Sequence, residues 1–283
     1  MTEILIKSIT IGALIAVPLV VLSIGLETGG PQFRSLLGRP GLVLRFFLAT
    51  FVVMPALAVG VGVLGVPRSL WVGLALMSIA PPAPPATRRL KHFGNFDIAL
   101  AWQAVAFLCA VVTIPLTVAI VQHIGLASTQ LNLDWETVLK RSILFFAAPM
   151  LLGLLIRRYA PAVADAVQRP IALAANVAFA LVGVLIVVVA IPVIWNFGIG
   201  PTAIVFAFVA VAVVVAHLLG GPGKDTRVTL AAMLAARFPL PALALAQANG
   251  VTKMVLPVVL TYIIAGLVLV PFYARMTGAV PRR

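Results

Sequence analysis

Ile79-Ala80-Pro81-Pro82-Ala83-Pro84-Pro85 and Arg237-Phe238-Pro239-Leu240-Pro241 are proline-rich stretches near the middle of two otherwise apolar segments. Proline lacks a helix donor and clashes with the preceding turn, so each stretch predicts a broken helix. In hydrocarbon, the freed backbone groups must face protein, water or a ligand. Broken helices at matching places in two halves of a chain are typical of secondary transporters, where they line the substrate site. The alternative is a packing kink, which single prolines produce in membrane helices.

The composition indicates an all-α polytopic membrane protein. Hydrophobic residues make up 63% of the 283 residues, charged residues 10%, and the mean hydropathy is +1.18. Apolar runs of the ~20 residues needed to cross a bilayer recur along the chain. We predict one membrane domain, 1–283, in which the polar intervals 28–40, 123–137 and 158–169 are loops. The nine predicted spans are 4–26, 41–64, 69–92, 95–122, 138–157, 170–195, 199–220, 226–249 and 253–275.

The net charge of +13 is interpreted as an orientation signal and not as a nucleic-acid surface. With nine spans, most basic residues fall on one side of the membrane, and the positive-inside rule makes that side cytoplasmic. The N-terminus is then predicted outside and the C-terminus inside, in a bacterial inner membrane. The sparsely basic side carries Lys7, Arg68, Lys140, Arg141 and Lys253.

The two breaks are predicted to cross each other near the membrane centre. On this topology the two broken helices run in opposite directions, as an inverted repeat of 1–122 and 138–283 requires. Their ends also match, because Gly94-Asn95 follows one and Asn249-Gly250 the other.

The chain resembles the bile acid:sodium symporter family and its bacterial relatives, in a nine-helix form. The landmarks are Gly25-Leu26, Met54-Pro55-Ala56, the first break ending at Gly94-Asn95, Pro115, Pro149 with Gly153, and the second break near Pro239. The resemblance implies a panel domain and a core domain, two crossing discontinuous helices, and transport of organic anions by alternating access.

The residues that bind two sodium ions in that family are largely replaced here. The family's Gly-Gly-x-x-Ser-Asn stretch aligns with Pro82 to Thr87, its Glu with Met233, and its Gln one turn later with Arg237. A Gln of the second span aligns with Thr50. Hard cations take oxygen ligands, carboxylates among them. Transport is therefore predicted not to be coupled to sodium through the usual sites.

Arg237 is the foremost candidate site residue. A charge near the bilayer centre costs at least ~2.5–3.5 kcal/mol on insertion scales, so it should face the interior and find a partner. Its planar fork suits a carboxylate, which could belong to an anionic substrate or to Asp97. The structural alternative is an arginine that reaches along its helix to the cytoplasmic interface.

The other predicted substrate-binding residues surround the two breaks, and Asp97 is a candidate for proton coupling. The substrate-binding set is Arg237, Gln103, Pro82, Ala83, Thr87, Phe238, Pro239 and Thr50. Neither a cofactor nor a metal site is predicted, since no Cys or His cluster has zinc spacing.

The sequence thus predicts a secondary transporter of a small organic anion and not an enzyme, because no acid–base pair or nucleophile can be assembled in the membrane. Sodium-independent transport is the first hypothesis. A proton- or sodium-coupled symporter and a non-transporting sensor or interaction subunit are the alternatives. Substrate identity and oligomeric state stay open.

Overall fold

In the computed structural model, the described residues are 2–123, 135–195, 197–248 and 250–279. Over these ranges the chain is helical, without a β-strand, as the composition predicts. In chain order the helices are α1 (Thr2–Glu27), α2 (Gly30–Leu37), α3 (Pro40–Leu48), α4 (Met54–Val63), α5 (Arg68–Ile79), α6 (Pro84–Phe93), α7 (Phe96–His123), α8 (Trp135–Ser142), α9 (Ala148–Tyr159), α10 (Pro161–Trp195), α11 (Ile199–Leu219), α12 (Lys224–Ala235), α13 (Pro239–Ala248) and α14 (Thr252–Met276).

Two pairs of consecutive helices are each joined by a wider π-helical turn. Residues Ala49–Val53 join α3 to α4, and residues Ile143–Ala147 join α8 to α9. A π-helical turn inserts one residue into the helix and leaves a carbonyl without its usual partner. The first of these turns lies beside the candidate site described below.

Six helical stretches in the described part of the chain are long and apolar enough to cross a membrane. They are Pro40–Val63, Phe96–Thr117, Val138–Tyr159, Pro161–Ile186, Ile199–Leu219 and Thr252–Met276. A seventh is obtained if Ile11–Glu27 and Gly30–Leu37, which are bent by 84°, count as one span. The two predicted broken helices are each divided into short helices, so the count of nine spans stays a prediction.

Two of the predicted loops are wrong. Interval 28–40 contains helix α2, and α10 begins at Pro161, inside the predicted loop 158–169. Proline is favoured in a first helical turn, where its missing N–H costs nothing, and Pro31 and Pro161 both occupy such positions. Polar composition was therefore a poor indicator of a loop here. The third interval, 123–137, lies mostly outside the described residues.

The helices pack in two groups. The panel unit comprises α1, α8, α9 and α10, in which α1 packs mainly on α9 and α10. The core unit comprises α2 to α7 and α11 to α14, in which α14 packs on α5, α11, α12 and α13.

Within the panel unit, α1 and α9 cross with their backbones in contact at Gly25 and Gly153. A Cβ atom on Gly153 would lie 2.7 Å from the carbonyl oxygen of Leu22, and one on Gly25 would lie 2.7 Å from that of Met150. Both distances are too short for a side chain, so this crossing requires glycine in each helix. Two of the sequence landmarks are thereby explained by one helix contact.

Candidate functional site

The two proline-rich breaks lie against each other and are joined by backbone hydrogen bonds. The N–H of Ala83 donates to the carbonyl oxygen of Ala236 at 2.8 Å, and the N–H of Phe238 donates to that of Pro81 at 2.8 Å. Pro82 and Arg237 thereby form an isolated antiparallel bridge. The predicted meeting of the breaks is confirmed, whereas the inverted repeat stays a prediction.

Prolines remove half of the first-turn backbone donors at the crossing. A helix N-terminus normally presents free N–H groups, which can bind an anion. Pro84 and Pro85 occupy the first two positions of α6, and Pro239 and Pro241 the first and third of α13. These four residues have no N–H to offer. The crossing therefore has few backbone N–H groups that could bind a substrate anion.

The Arg237 side chain is buried, with 2% of its surface exposed, and it donates to backbone carbonyls from three elements. Nη1 donates to the carbonyl oxygen of Ala80 at 2.9 Å, Nε to that of Leu234 at 3.2 Å, and Nη2 to that of Thr50 at 3.4 Å. These contacts hold the guanidinium at the crossing, so it does not extend to the membrane interface.

Two of these carbonyls lie at helix C-termini. Ala80 caps α5, and Leu234 belongs to the last turn of α12. The last carbonyls of a helix lack intrahelical donors and carry the negative end of the helix dipole. Arg237 supplies both the hydrogen-bond donors that these carbonyls lack and a positive charge beside the negative ends of the two helix dipoles. The guanidinium thus stabilises the ends of both broken helices where hydrocarbon could not.

The third carbonyl is released by the π-helical turn at Ala49–Val53. The N–H of Met54 donates to the carbonyl oxygen of Ala49, five residues earlier. The next residue, Pro55, has no N–H to donate. The carbonyl of Thr50 is thus left available to Arg237. The buried hydroxyl of Thr50 has no hydrogen-bond partner within the described structure.

Tyr262 is a residue at the crossing that sequence reasoning missed. Its hydroxyl donates to the carbonyl oxygen of Leu234 at 2.8 Å, the same atom that accepts from Arg237. Tyr262 is fully buried on α14. A tyrosine within an apolar span needs a partner for its hydroxyl, and this requirement was the available signal.

Gln103 and Thr87 form a second buried polar contact beside the crossing. Gln103 Nε2 donates to the carbonyl oxygen of Pro82 at 3.0 Å, and the Thr87 hydroxyl donates to Gln103 Oε1. Thr87 Oγ1 also lies 3.9 Å from the sulfur of Met233. These contacts tie α6, α7 and α12 together at the first break.

All eight predicted substrate-binding residues thus lie at or beside the crossing, whereas Asp97 does not join them. The carboxylate of Asp97 accepts from Gln32 Nε2 at 3.1 Å, in an exposed contact between α2 and α7. Arg237 bonds to carbonyls instead of to this carboxylate.

Phe238 connects the crossing to the panel unit through aromatic contacts. Its ring centroid lies 5.9 Å from that of Phe179 on α10 and 6.2 Å from that of Phe107 on α7. Phe107 stacks in turn on Phe146 at 5.6 Å. Phe146 lines a cavity that opens between the two units.

This cavity has a volume of about 530 Å³ and is mostly apolar. The panel unit contributes α1, α8 and the π-helical turn after α8. The core unit contributes α7, α13 and α14. Leu240 and Pro241, directly after the second break, form its wall nearest the crossing. The polar residues among the described lining are Arg141, Ser142, Gln247 and Thr252, none of which is in the predicted substrate-binding set.

The described residues contain no group of three or more His, Cys, Asp or Glu side chains that could hold a metal ion. At the crossing itself the available oxygens are carbonyls, hydroxyls and one amide, and several already accept from Arg237 or Gln103.

Comparison with known proteins agrees with an all-helical membrane fold. Residues 14–197 match the sodium bile acid symporter family, which is more than half of the chain. The chain belongs to this family. The match includes the first break and ends before the second. No curated protein matches the chain. Family members are secondary transporters and not enzymes, and this family member is an integral membrane protein.

Proposed function

We propose that this family member transports a small organic anion by alternating access, and that Arg237 acts as a fixed cation in place of a coupling sodium ion. The observation that carries the proposal is the buried guanidinium bonded to the carbonyls of Ala80, Leu234 and Thr50. Those oxygens are the kind of ligand a sodium ion would need.

The chemistry of the neighbouring side chains supports the absence of sodium coupling. The family's carboxylate position holds Met233, whose thioether is a poor ligand for a hard cation. Met233 is fully buried beside Thr87, so water has no access from that side to complete a coordination shell. A sodium ion at this place would also be repelled by the guanidinium.

The arrangement of the two units supports alternating access. The cavity separates the panel unit from the core unit at one end. At the other end, Lys91 on α6 forms an ion pair with Glu27 on α1, 3.2 Å apart. Arg88 on α6 also donates to Asn176 on α10 and to Ser23 on α1. With nine spans and the N-terminus outside, the open end is extracellular and the closed end cytoplasmic.

The proposal is tested with purified protein in liposomes and in detergent. Uptake and thermal stabilisation are measured with a panel of benzoate, cyclohexane carboxylate, naphthoate and naphthalene sulfonate, in sodium and in potassium buffers of equal ionic strength. A ligand that binds only the folded state raises its stability by mass action. The Arg237→Gln variant is compared with Arg68→Gln, which makes the same change at an exposed position.

We expect at least one anion to be taken up and to stabilise the native protein equally in both buffers. Arg237→Gln should lower uptake, and Arg68→Gln should behave as the native chain. Uptake that requires sodium would overturn the fixed-cation role. A proton gradient that drives uptake would identify proton coupling, and the absence of any flux or binding would favour a non-transporting role.

A further inference from the structure

We infer that Arg141, and not Arg237, binds the negatively charged group of a substrate held in the cavity between the two units. The inference rests on the proposed function and names the residue that selects its substrate.

The charge distribution of the cavity wall supports this inference. Of the 18 described residues that line the cavity, Arg141 is the only one that carries a charge, and most of the others are aliphatic or aromatic. Ser142, the next residue, is buried in the same wall and offers a hydroxyl. A wall with one cation beside an apolar surface matches a molecule with one anionic group and an apolar body.

Arg141 is free to bind such a group. No ion pair is formed by Arg141 among the described residues, whereas its neighbour Lys140 is paired with Glu136 at 2.6 Å. Arg141 also lies on the sparsely basic side of the predicted topology, where the positive-inside rule gives no reason for an arginine. An arginine fork binds carboxylates and sulfonates through two parallel hydrogen bonds.

Arg237 cannot perform this task in the structure described here. It is buried, it does not line the cavity, and three of its five N–H groups donate to backbone carbonyls. The four prolines at the start of α6 and α13 remove half of the eight first-turn N–H groups that could have held an anion at the crossing. Recognition of the anion is thereby separated from the fixed charge at the crossing.

The test compares naphthalene sulfonate with neutral naphthalene sulfonamide, which has nearly the same shape without the charge. Binding to each probe is measured by thermal stabilisation of the purified full chain. The variants are Arg141→Gln, Arg141→Lys and the control Lys140→Gln, whose side chain lies next in sequence but does not line the cavity. The melting temperature without ligand shows whether each variant is folded.

We expect Arg141→Gln to weaken sulfonate binding roughly tenfold or more, as for the loss of a charged hydrogen bond. Sulfonamide binding should change little, Arg141→Lys should recover part of the sulfonate affinity, and Lys140→Gln should match the native chain. Equal sulfonate affinity in Arg141→Gln and native protein would overturn the inference and leave the proposed function intact. If none of the tested anions stabilises the native chain, both this inference and the proposed function are contradicted.

Discussion

Arg237 uses one side chain to satisfy carbonyls from α5, α12 and the π-helical turn after α3. Its planar guanidinium places donors in several directions at once, whereas the ammonium of a lysine is a compact charge on a flexible stem. Arginine and lysine are therefore not equivalent at this position, although both carry one positive charge.

We expect Arg237→Lys to lower the free energy of unfolding by about 2 kcal/mol or more, since at least one carbonyl then loses its charged donor in a buried place. Thermal unfolding in detergent measures the effect, with Arg68→Lys at an exposed position as the control. An unchanged melting temperature would mean that the geometry of the fork is unimportant.

The same residue offers a test by gain of function. Replacing Met233 by Glu together with Arg237→Gln restores the side chains that the family uses for sodium, and it frees the carbonyls of Ala80 and Leu234. We expect this double variant to be more stable in sodium than in potassium at equal ionic strength. The control combines Met233→Gln with Arg237→Gln, which lacks the carboxylate. The same response to both salts would show that the crossing cannot accommodate sodium.

The position of Arg237 could be predicted from the sequence, but its partners could not. Its place beside Phe238 and Pro239 follows from the local proline pattern. The carbonyls that accept from it come together only when the two broken helices cross and a π-helical turn forms after α3. Both features depend on tertiary packing. Arg141 was missed because the sequence does not show that α7, α13 and α14 pack opposite it and form the cavity.

The contact of α1 with α9 brings the two helix backbones directly together. Gly153 lies against the backbone of Leu22 and Gly25, which cannot move aside as a flexible side chain can. We expect Gly153→Ala to lower the free energy of unfolding by about 1–3 kcal/mol through overpacking. The measurement is thermal unfolding in detergent.

Gly183 on α10 provides the matched control, because a Cβ at that position meets no atom within 4 Å. Alanine there should be neutral or stabilising, since it has the higher helix propensity. If both variants unfold at the same temperature, close backbone packing does not explain the glycine at position 153.

At the scale of elements, the apolar helices were the predictable part and the polar ones were not. Proline breaks are local effects and appear where the sequence places them. Helix α2 and the start of α10 carry many polar residues, so hydropathy alone assigned them to loops. Their first-turn prolines were the signal that could have identified them.

In the whole molecule, the cavity lies between the two units near one end, and polar side chains join the units near the other, which we call the closed end. The ion pair of Lys91 with Glu27 and the hydrogen bonds of Arg88 join the two units at the closed end. If transport requires the units to separate there, linking them covalently must stop it. We expect a bifunctional thiol reagent to abolish uptake by a Glu27→Cys/Lys91→Cys variant built on Cys109→Ala, which removes the one native cysteine.

The control links two residues of the panel unit to each other. Arg157 on α9 and Asp165 on α10 form an ion pair at 2.6 Å, and cysteines at both positions should react without loss of uptake. Undiminished uptake after complete linking of positions 27 and 91 would contradict a moving contact at the closed end.

The crossing of the broken helices is held by main-chain atoms, since Ala83 donates to Ala236 and Phe238 donates to Pro81. Main-chain hydrogen bonds survive when side chains are exchanged. A side-chain substitution can therefore change the charge at the crossing while the main-chain hydrogen bonds between the two broken helices remain. On the proposed function, the arginine at position 237 supplies from the gene itself a charge that relatives take up from solution, so transport no longer depends on a sodium gradient.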